Sequence, residues 1–252
     1  MLKIILPLLF IAVFLPVVAN AVPTQIVVRV KAKDAKFIGT SVGGAFVTIK
    51  DANTGELLAK GFTRGGTGDT RLLMSTPITR GMSIAKGAAQ FHTVIDIDEP
   101  RLVEISAKAP YAQQQALQEM RLTMWLIPGK HIVGDGIIFE MPGFIVDILA
   151  PPVPTKKPHN ERNIKIVASV SPMCGCPINP STFWHPNSIE VAAIIKKDGR
   201  HYKTIALNFS GKTNIFEVEL KSLEKGTYEI TVYAFDPKTG NTGVDMSSFV
   251  LS

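Results

Sequence analysis

The amino-acid sequence predicts an all-β protein made of two tandem β-sandwich domains. Short segments of alternating apolar and polar residues, such as 24–33 and 216–220, have the two-residue period of half-buried strands. Turns rich in Asp, Asn and Gly separate these segments, as at Asp51–Gly55. A proline-rich stretch near the middle of the chain divides the strands into two groups, which predicts two domains.

The first predicted domain covers residues 22–150. Its expected strands are residues 24–33, 45–50, 57–62, 90–97, 102–107, 121–127 and 144–149. Trp125 lies in one of these apolar strands, so we expect it in the core. Residues 113–119, rich in Gln, are the only helical prediction.

A turn pattern in the first domain has counterparts in a known family. Residues 44–63 form a strand, an Asp…Thr-Gly turn and a returning strand, and Gly66–Thr70 follow. This combination resembles the transthyretin-like, carboxypeptidase-regulatory-like domains found beside carboxypeptidases and in bacterial surface proteins. The resemblance implies a β-sandwich and no particular activity.

Residues 151–159 form the predicted linker. Four prolines lie between residues 150 and 158, and such a segment favours extended polyproline geometry over a helix or a central strand. We therefore expect a semi-rigid spacer, followed by a second domain at residues 160–252.

The second domain ends in a motif with clear counterparts. Residues 226–243 begin Gly-Thr-Tyr-Glu-Ile-Thr-Val and resemble the closing strands of bacterial immunoglobulin-like and fibronectin-III-like modules. The resemblance implies a tyrosine corner at Tyr228 and an F–G hairpin at Asp236–Asn241.

An immunoglobulin-like arrangement places the loops of this domain. The expected strands B, C, C′, E, F and G are residues 163–170, 189–196, 202–209, 214–220, 227–235 and 244–251. Strand B then runs against E and strand C against F. The B–C loop, residues 171–188, lies at the same end as the F–G hairpin, and we expect an exposed tip there.

The N-terminus predicts export. Lys3 precedes an apolar run, and Ala19-Asn20-Ala21 supplies small residues for cleavage, which is the pattern of a secretory signal peptide at residues 1–21. Retention of this segment as an anchor is the alternative, although the run is short for a membrane span. The mature chain contains no other apolar stretch of membrane-spanning length. We expect a secreted, periplasmic or cell-envelope location.

Composition and motifs exclude some classes of function. The formal charge is +6, but the basic residues are scattered along the chain, which disfavours nucleic-acid binding. No Gly-x-Ser-x-Gly motif is present, and no nucleophile and base are evidently paired, so we expect a non-enzymatic protein. His92 and His131 lie in strand-like segments without recognisable partners.

The two cysteines carry most of the functional signal. Cys174 and Cys176 flank one glycine and follow Met173, and His185 lies further along the same loop. Thiolate and thioether sulfurs favour Cu(I), so these four residues form the candidate metal site, with copper as the possible cofactor. His159 and His201 are further possible imidazole ligands.

Two alternatives to copper remain open for this loop. The cysteines can form a redox-active disulfide, because a bridge across one residue closes a very small ring, or they can fix a turn without further chemistry. Trp184 in the same loop is expected to pack it onto the sandwich. The function is then either a metal-binding protein, a structural or adhesive surface module with a protein partner in the cell envelope, or a thiol–disulfide redox protein.

Overall fold

The computed structural model describes residues 20–152, 155–158, 160 and 162–252. Within these residues the chain is almost entirely β, which confirms the predicted fold class. These residues form seventeen strands in four sheets. None of the helices in this part of the chain is long and apolar enough to span a bilayer. The predicted signal peptide lies outside the described residues except for Asn20 and Ala21, and the first strand begins at Val22.

The first sandwich consists of two four-stranded sheets. Its strands are β1 (Val22–Ala32), β2 (Phe46–Asp51), β3 (Leu57–Phe62), β4 (Arg64–Thr67), β5 (Ala88–Ile97), β6 (Arg101–Ala109), β7 (Gln118–Leu126) and β8 (Ile132–Met141). One sheet has the order β4-β5-β1-β8 and the other β3-β2-β6-β7. Strand β1 is antiparallel to β5 and parallel to β8, whereas β2, β3, β6 and β7 pair antiparallel throughout. The transthyretin-like character of this half stays a prediction.

The predicted alternation and turn chemistry explain this half locally. Ile26, Val28 and Val30 of β1 are fully buried in the core between the sheets. At the β2–β3 turn, an Asp51 carboxylate oxygen accepts hydrogen bonds from two backbone N–H groups, those of Asn53 and Thr54, both at 2.9 Å. These hydrogen bonds lower the pKa of Asp51 below its ordinary value.

Two predictions in this half are wrong. The expected helix at 113–119 is a single 3-10 turn, Gln114–Ala116, which leads into β7. Trp125 is 59% exposed, because the inward positions of β7 are Met120, Leu122 and Met124 and Trp125 points to the opposite face. The α-helix of this half is α1, Thr70–Ser75, where the Asp69 side chain caps the N-terminus by accepting from the Leu72 N–H at 2.8 Å.

The second sandwich has an immunoglobulin-like strand order. Its strands are β9 (Phe144–Ala150), β10 (Thr155–Lys157), β11 (Ile164–Pro172), β12 (Glu190–Lys197), β13 (Arg200–Ala206), β14 (Asn208–Phe209), β15 (Ile215–Leu220), β16 (Gly226–Phe235) and β17 (Thr242–Leu251). The sheets run β14-β15-β11-β9 and β10-β17-β16-β12-β13. The predicted B–E pairing is β11 with β15 and the C–F pairing is β12 with β16, both antiparallel.

The tyrosine corner is confirmed. Tyr228, near the start of β16, is fully buried, and its hydroxyl donates to the Glu224 carbonyl at 2.8 Å. Its ring stacks on Phe249 of β17 with centroids 4.8 Å apart. The F–G hairpin is also confirmed, because the Asp236 N–H donates to the Asn241 carbonyl at 2.9 Å.

The boundary between the two sandwiches differs from the sequence prediction. Residues 144–149, assigned above to the first domain, lie in β9, which pairs antiparallel with β11 of the second sandwich. The proline-rich segment that follows is not a spacer between the sandwiches, because β10 within it pairs parallel with β17. Proline is tolerated at such sheet edges. We propose that the boundary lies at Pro142–Gly143 instead of residues 151–159.

This boundary predicts a difference between two fragments. A fragment of residues 143–252 should melt at a higher temperature than one of residues 159–252. The shorter fragment lacks the buried Phe144 and Val146 side chains, a loss of about 3–6 kcal/mol. Circular-dichroism melts of both fragments measure the difference. Equal melting temperatures would show that β9 does not belong to this folding unit.

Candidate functional site

The Cys-Gly-Cys loop lies at the predicted end of the second sandwich but is not an exposed tip. It follows β11 and precedes β12, at the end that also carries the β16–β17 turn. Cys174 and Cys176 form a disulfide and are 1% and 3% exposed. Both cysteines pack into the core cluster of the first sandwich, so the expectation of an exposed loop is wrong. The sequence alone does not indicate that this end of the second sandwich packs on the first.

The four candidate copper ligands do not form a ligand set in this structure. Both cysteine sulfurs are used by the disulfide, and Met173 is fully buried in the first sandwich's core. His185 is exposed, and its Nδ1 accepts from the Asn187 N–H at 3.2 Å. Among the described residues, no group of three His, Cys, Asp or Glu side chains is suited to a metal ion. Copper binding stays an untested prediction.

The remaining histidines also lie apart from the loop. His201 lies on β13, where its Nε2 is 3.1 Å from the Thr204 hydroxyl. His131 Nδ1 accepts from the Gln25 N–H, and His92 Nε2 is 3.3 Å from Gln25 Oε1 in the first sandwich. His159 lies outside the described residues.

The glycine between the cysteines allows the loop to pack closely against the first sandwich. Gly175 has φ +70°, a conformation that favours glycine, and its N–H donates to the Pro172 carbonyl at 2.8 Å. A Cβ atom at this position would lie 2.6 Å from Cγ1 of Val42 in the first sandwich. The Cys-Gly-Cys spacing therefore permits close packing between the two sandwiches.

Hydrogen bonds reinforce this junction. The Trp184 indole N–H donates to the Asp34 carbonyl at 3.2 Å, and Lys33 Nζ donates to the Thr239 carbonyl at 2.7 Å. The Asn241 side chain, 4% exposed, accepts from the Gly143 N–H at 3.0 Å and donates to the Lys33 carbonyl at 3.1 Å. The loop and the β16–β17 turn thus connect the two sandwiches.

Trp184 packs as the sequence predicts. Its half-buried ring contacts the cores of both sandwiches. Beside it, the ring of Phe183 is 53% exposed and meets Trp184 edge-on, with centroids 6.2 Å apart. The two rings line an open groove of about 470 Å³ between the sandwiches, with side chains of both charges, such as Asp34 and Lys238, on its walls.

A second surface feature was not singled out from the sequence. The five-stranded sheet of the second sandwich carries apolar side chains on its outer face, called here the apolar face: Ala192, Ile194, Ala206, Tyr233, Phe235, Val244 and Met246. Met246 is 71% exposed and Val244 47%. The sequence of β16 contains an indication of this face. Thr231, Tyr233 and Phe235 alternate with buried apolar residues, so this part of the strand has no charged side chain on either side.

The charges near the apolar face lie at its border. Glu190, at one end, accepts a hydrogen bond from the Tyr233 hydroxyl, and this interaction raises the pKa of Tyr233. Lys196 and Glu229 are cross-strand partners at the other end. Exposed apolar patches rimmed by polar residues are typical of interaction surfaces.

Two carboxylates lie close together along one edge of the second sandwich. Asp245 of β17 accepts from the Ile148 N–H at 2.7 Å. Asp147 is an exposed residue, and partial desolvation of its carboxyl and the Asp245 charge, in that order, raise its pKa. A raised pKa in the folded state means that ionisation of Asp147 opposes folding.

This arrangement predicts a pH-dependent effect of Asp147→Asn. At pH 7 the variant should melt about 1–2 °C above the wild type, because the unfavourable ionised carboxylate is absent. The difference should vanish at pH 3, below the ordinary aspartate value of about 3.9, where Asp147 is protonated in both folded and unfolded chains. Calorimetry at the two pH values measures it. A stabilisation that persisted at pH 3 would contradict this electrostatic explanation.

The comparisons with known proteins give weak structural likenesses. No protein-family model matches the chain, and no curated protein matches it. The fibronectin-III-like modules of Clostridium thermocellum CbhA cover 42% of this chain and 96% of their own length, with 20% identity and a TM-score of 0.26. The titin I-band fragment I67–I69 covers 92% of this chain and 65% of its own length, at 13% identity and a TM-score of 0.24.

An engineered protein is also similar over half of the chain. The match has 14% identity and a TM-score of 0.33, and it spans about a quarter, 24%, of that protein's length. At these values the assignment of an immunoglobulin-like sandwich rests on the strand order of residues 144–252 described above.

Proposed function

We propose that the chain is an exported, non-enzymatic adhesive module that binds another protein through the apolar face. The observation that carries the proposal is the exposure of Val244 and Met246 on β17, the outer strand of a four-strand apolar surface. In a sheet with one solvated face, the outward side chains of each strand are normally polar and alternate with inward, buried ones. An apolar sheet face instead offers a broad, rigid surface that becomes favourable to bury when a partner covers it.

The border of the face suggests the chemistry of the partner. Strand β13 forms one edge of the sheet and exposes Arg200 and His201, and Lys196, the cross-strand partner of His201, lies beside it on β12. Charged edges discourage unselective strand pairing, while opposite charges on a partner favour the intended orientation. We infer a partner whose apolar patch is flanked by carboxylates on the side that meets β13.

The Cys-Gly-Cys loop has a structural role in this proposal. The disulfide and Met173 pack between the sandwiches, so the loop helps to hold them in one arrangement. A disulfide accords with an oxidising compartment, and the signal-peptide pattern of residues 1–21 supports export to such a compartment. Under this proposal a reductant reaches the bond only when the junction opens.

Binding to envelope proteins tests the proposal. Immobilised wild type should retain an envelope protein that Met246→Lys fails to retain, because the substitution places a charge at the most exposed apolar side chain of the face. Leu57→Lys is the matched control, since Leu57 is an exposed aliphatic residue, 45% accessible, on the first sandwich. Equal retention by wild type, Met246→Lys and Leu57→Lys would exclude the apolar face as the binding surface.

A further inference from the structure

A groove at one end of the first sandwich is lined by cations. It has a volume of about 610 Å³, and its walls include Arg71 of α1 and Lys86 of the loop before β5. Lys36 lies next to this groove, where its Nζ donates to the Thr70 hydroxyl at 3.0 Å. Two basic side chains thus line this concave surface and a third lies beside it, and Asp69 also lies on its wall.

Basic side chains outnumber carboxylates in this region, and the Asp135 carboxylate at the base of the loop interacts with the buried Arg29. Residues 63–87 contain four basic residues and one acidic residue, Asp69, and that carboxylate caps α1 through the Leu72 N–H. Within the part of the chain that the structure describes, neither Arg71 nor Lys86 forms an ion pair, and both are exposed. Uncompensated cations around a groove attract an anionic ligand or surface.

An apolar residue lies at the tip of the same loop. The Met82 N–H donates to the Thr79 carbonyl at 3.1 Å, which closes a turn with Arg80 and Gly81 at its centre, and Gly81 has φ +84°. Ile78, one residue before this turn, is 52% exposed. The loop therefore carries an exposed aliphatic side chain, Ile78, close in sequence to the exposed Arg80.

The base of the loop is firmly anchored. Asp135 accepts hydrogen bonds from the Ser83 hydroxyl at 2.6 Å and from the Ile84 and Ala85 N–H groups at 2.8 and 3.1 Å. Although burial acts to raise the pKa of Asp135, these hydrogen bonds hold it below its ordinary value. The loop thus holds the cations and Ile78 in a defined arrangement.

We propose that this end of the first sandwich, called here the basic tip, docks on an anionic phospholipid surface. Lys36, Arg71, Arg80 and Lys86 attract the phosphate headgroups, and Ile78 enters the boundary between headgroups and acyl chains. Basic residues bind anionic leaflets electrostatically, and an apolar side chain adds affinity by leaving water. The docking site is distinct from the apolar face, which lies on the other sandwich.

Vesicle co-sedimentation tests this proposal. The full-length mature protein should bind vesicles of equal parts phosphatidylglycerol and phosphatidylcholine at low salt, and it should not bind vesicles of phosphatidylcholine alone. The triple variant Arg71→Gln, Arg80→Gln, Lys86→Gln should lose about 100-fold in affinity, the loss expected for three cations near an anionic surface. Ile78→Asp should weaken binding as well. All four positions are exposed, so the melting temperatures should stay close to that of the wild type.

A second triple variant separates a defined surface from net charge. Lys196→Gln, Arg200→Gln, Lys203→Gln removes the same charge from the edge of the other sandwich and should retain most of the affinity. Equal losses in the two triple variants would overturn the proposal, as would the absence of wild-type binding to anionic vesicles at low salt. Binding of inorganic polyphosphate to the wild type and to Ile78→Asp is measured as well. If polyphosphate binds the wild type as tightly as the vesicles do, and Ile78→Asp affects neither, the groove is a soluble-anion site and membrane docking is overturned.

Discussion

Replacing Asn241 with alanine should destabilise the protein by about 2–3 kcal/mol. Within residues 20–152 and 162–252, the buried Asn241 amide is the hydrogen-bond partner of the Gly143 N–H and also donates to the Lys33 carbonyl, so alanine leaves two backbone groups without this partner at the junction. The free energy of unfolding from urea titration measures the loss. Because the side chain connects the two sandwiches, we also expect the two halves to melt at separate temperatures in the variant.

Asn208→Ala is the control for this change. Asn208 is an exposed asparagine on the short strand β14, away from the junction, and its replacement should alter stability by no more than about 0.5 kcal/mol. If Asn241→Ala were as stable as Asn208→Ala, the Asn241 hydrogen bonds would not contribute to holding the sandwiches together.

Replacing Arg29 with methionine should cost the first sandwich about 2–4 kcal/mol. Arg29 is only 7% exposed, and its guanidinium donates to the Ala88 carbonyl at 2.5 Å, the Asp135 carbonyl at 3.2 Å and the Gln90 side-chain oxygen at 2.6 Å. Methionine fills much of the same space but cannot donate to these oxygens. Thermal and urea unfolding measure the loss.

The electrostatics of Arg29 support this expectation. Burial lowers the pKa of the guanidinium, and the nearby Asp135 charge acts in the opposite direction.

Lys31→Met, two residues along the same strand, is the matched control. The Lys31 side chain, 15% exposed, pairs with the exposed Glu140 at 3.0 Å, and an ion pair with one solvated partner contributes about 1 kcal/mol. Equal destabilisation by both variants would show that the buried hydrogen bonds of Arg29 have no special weight.

Local patterns predicted the second sandwich well. Strands B, C, E, F and G, the tyrosine corner at Tyr228 and the hairpin at Asp236–Asn241 all depend on periodicity and turn chemistry within a few residues. The predicted C′ strand, residues 202–209, is wrong at its end, because β13 ends at Ala206 and residues 208–209 form β14 in the other sheet. The position of the Cys-Gly-Cys loop follows from the same layout, because a loop between antiparallel strands must lie at one end of the sandwich.

The errors concern contacts between distant parts of the chain. The alternation of β7 defines two faces but does not say which is buried, and Trp125 lies on the solvent face. Cys174 and Cys176 are buried against the first sandwich, where Val42 lies more than 130 residues earlier in the chain. No sequence pattern near the cysteines indicates that contact. The prolines of residues 151–159 indicated an irregular segment, but β9 before them pairs with β11 after them.

The central claim about how the two sandwiches are joined is that the Cys-Gly-Cys loop is a buried structural junction. Mass spectrometry of protein purified without reductant, before and after exposure to a mild phosphine reductant, tests it most directly. The account predicts a metal-free protein two mass units lighter than its dithiol form. It also predicts that the disulfide resists reduction in the native state and is reduced promptly in urea, because the bond is almost inaccessible until the junction opens. Bound copper, or thiols that react equally fast in the native and the unfolded protein, would contradict the claim.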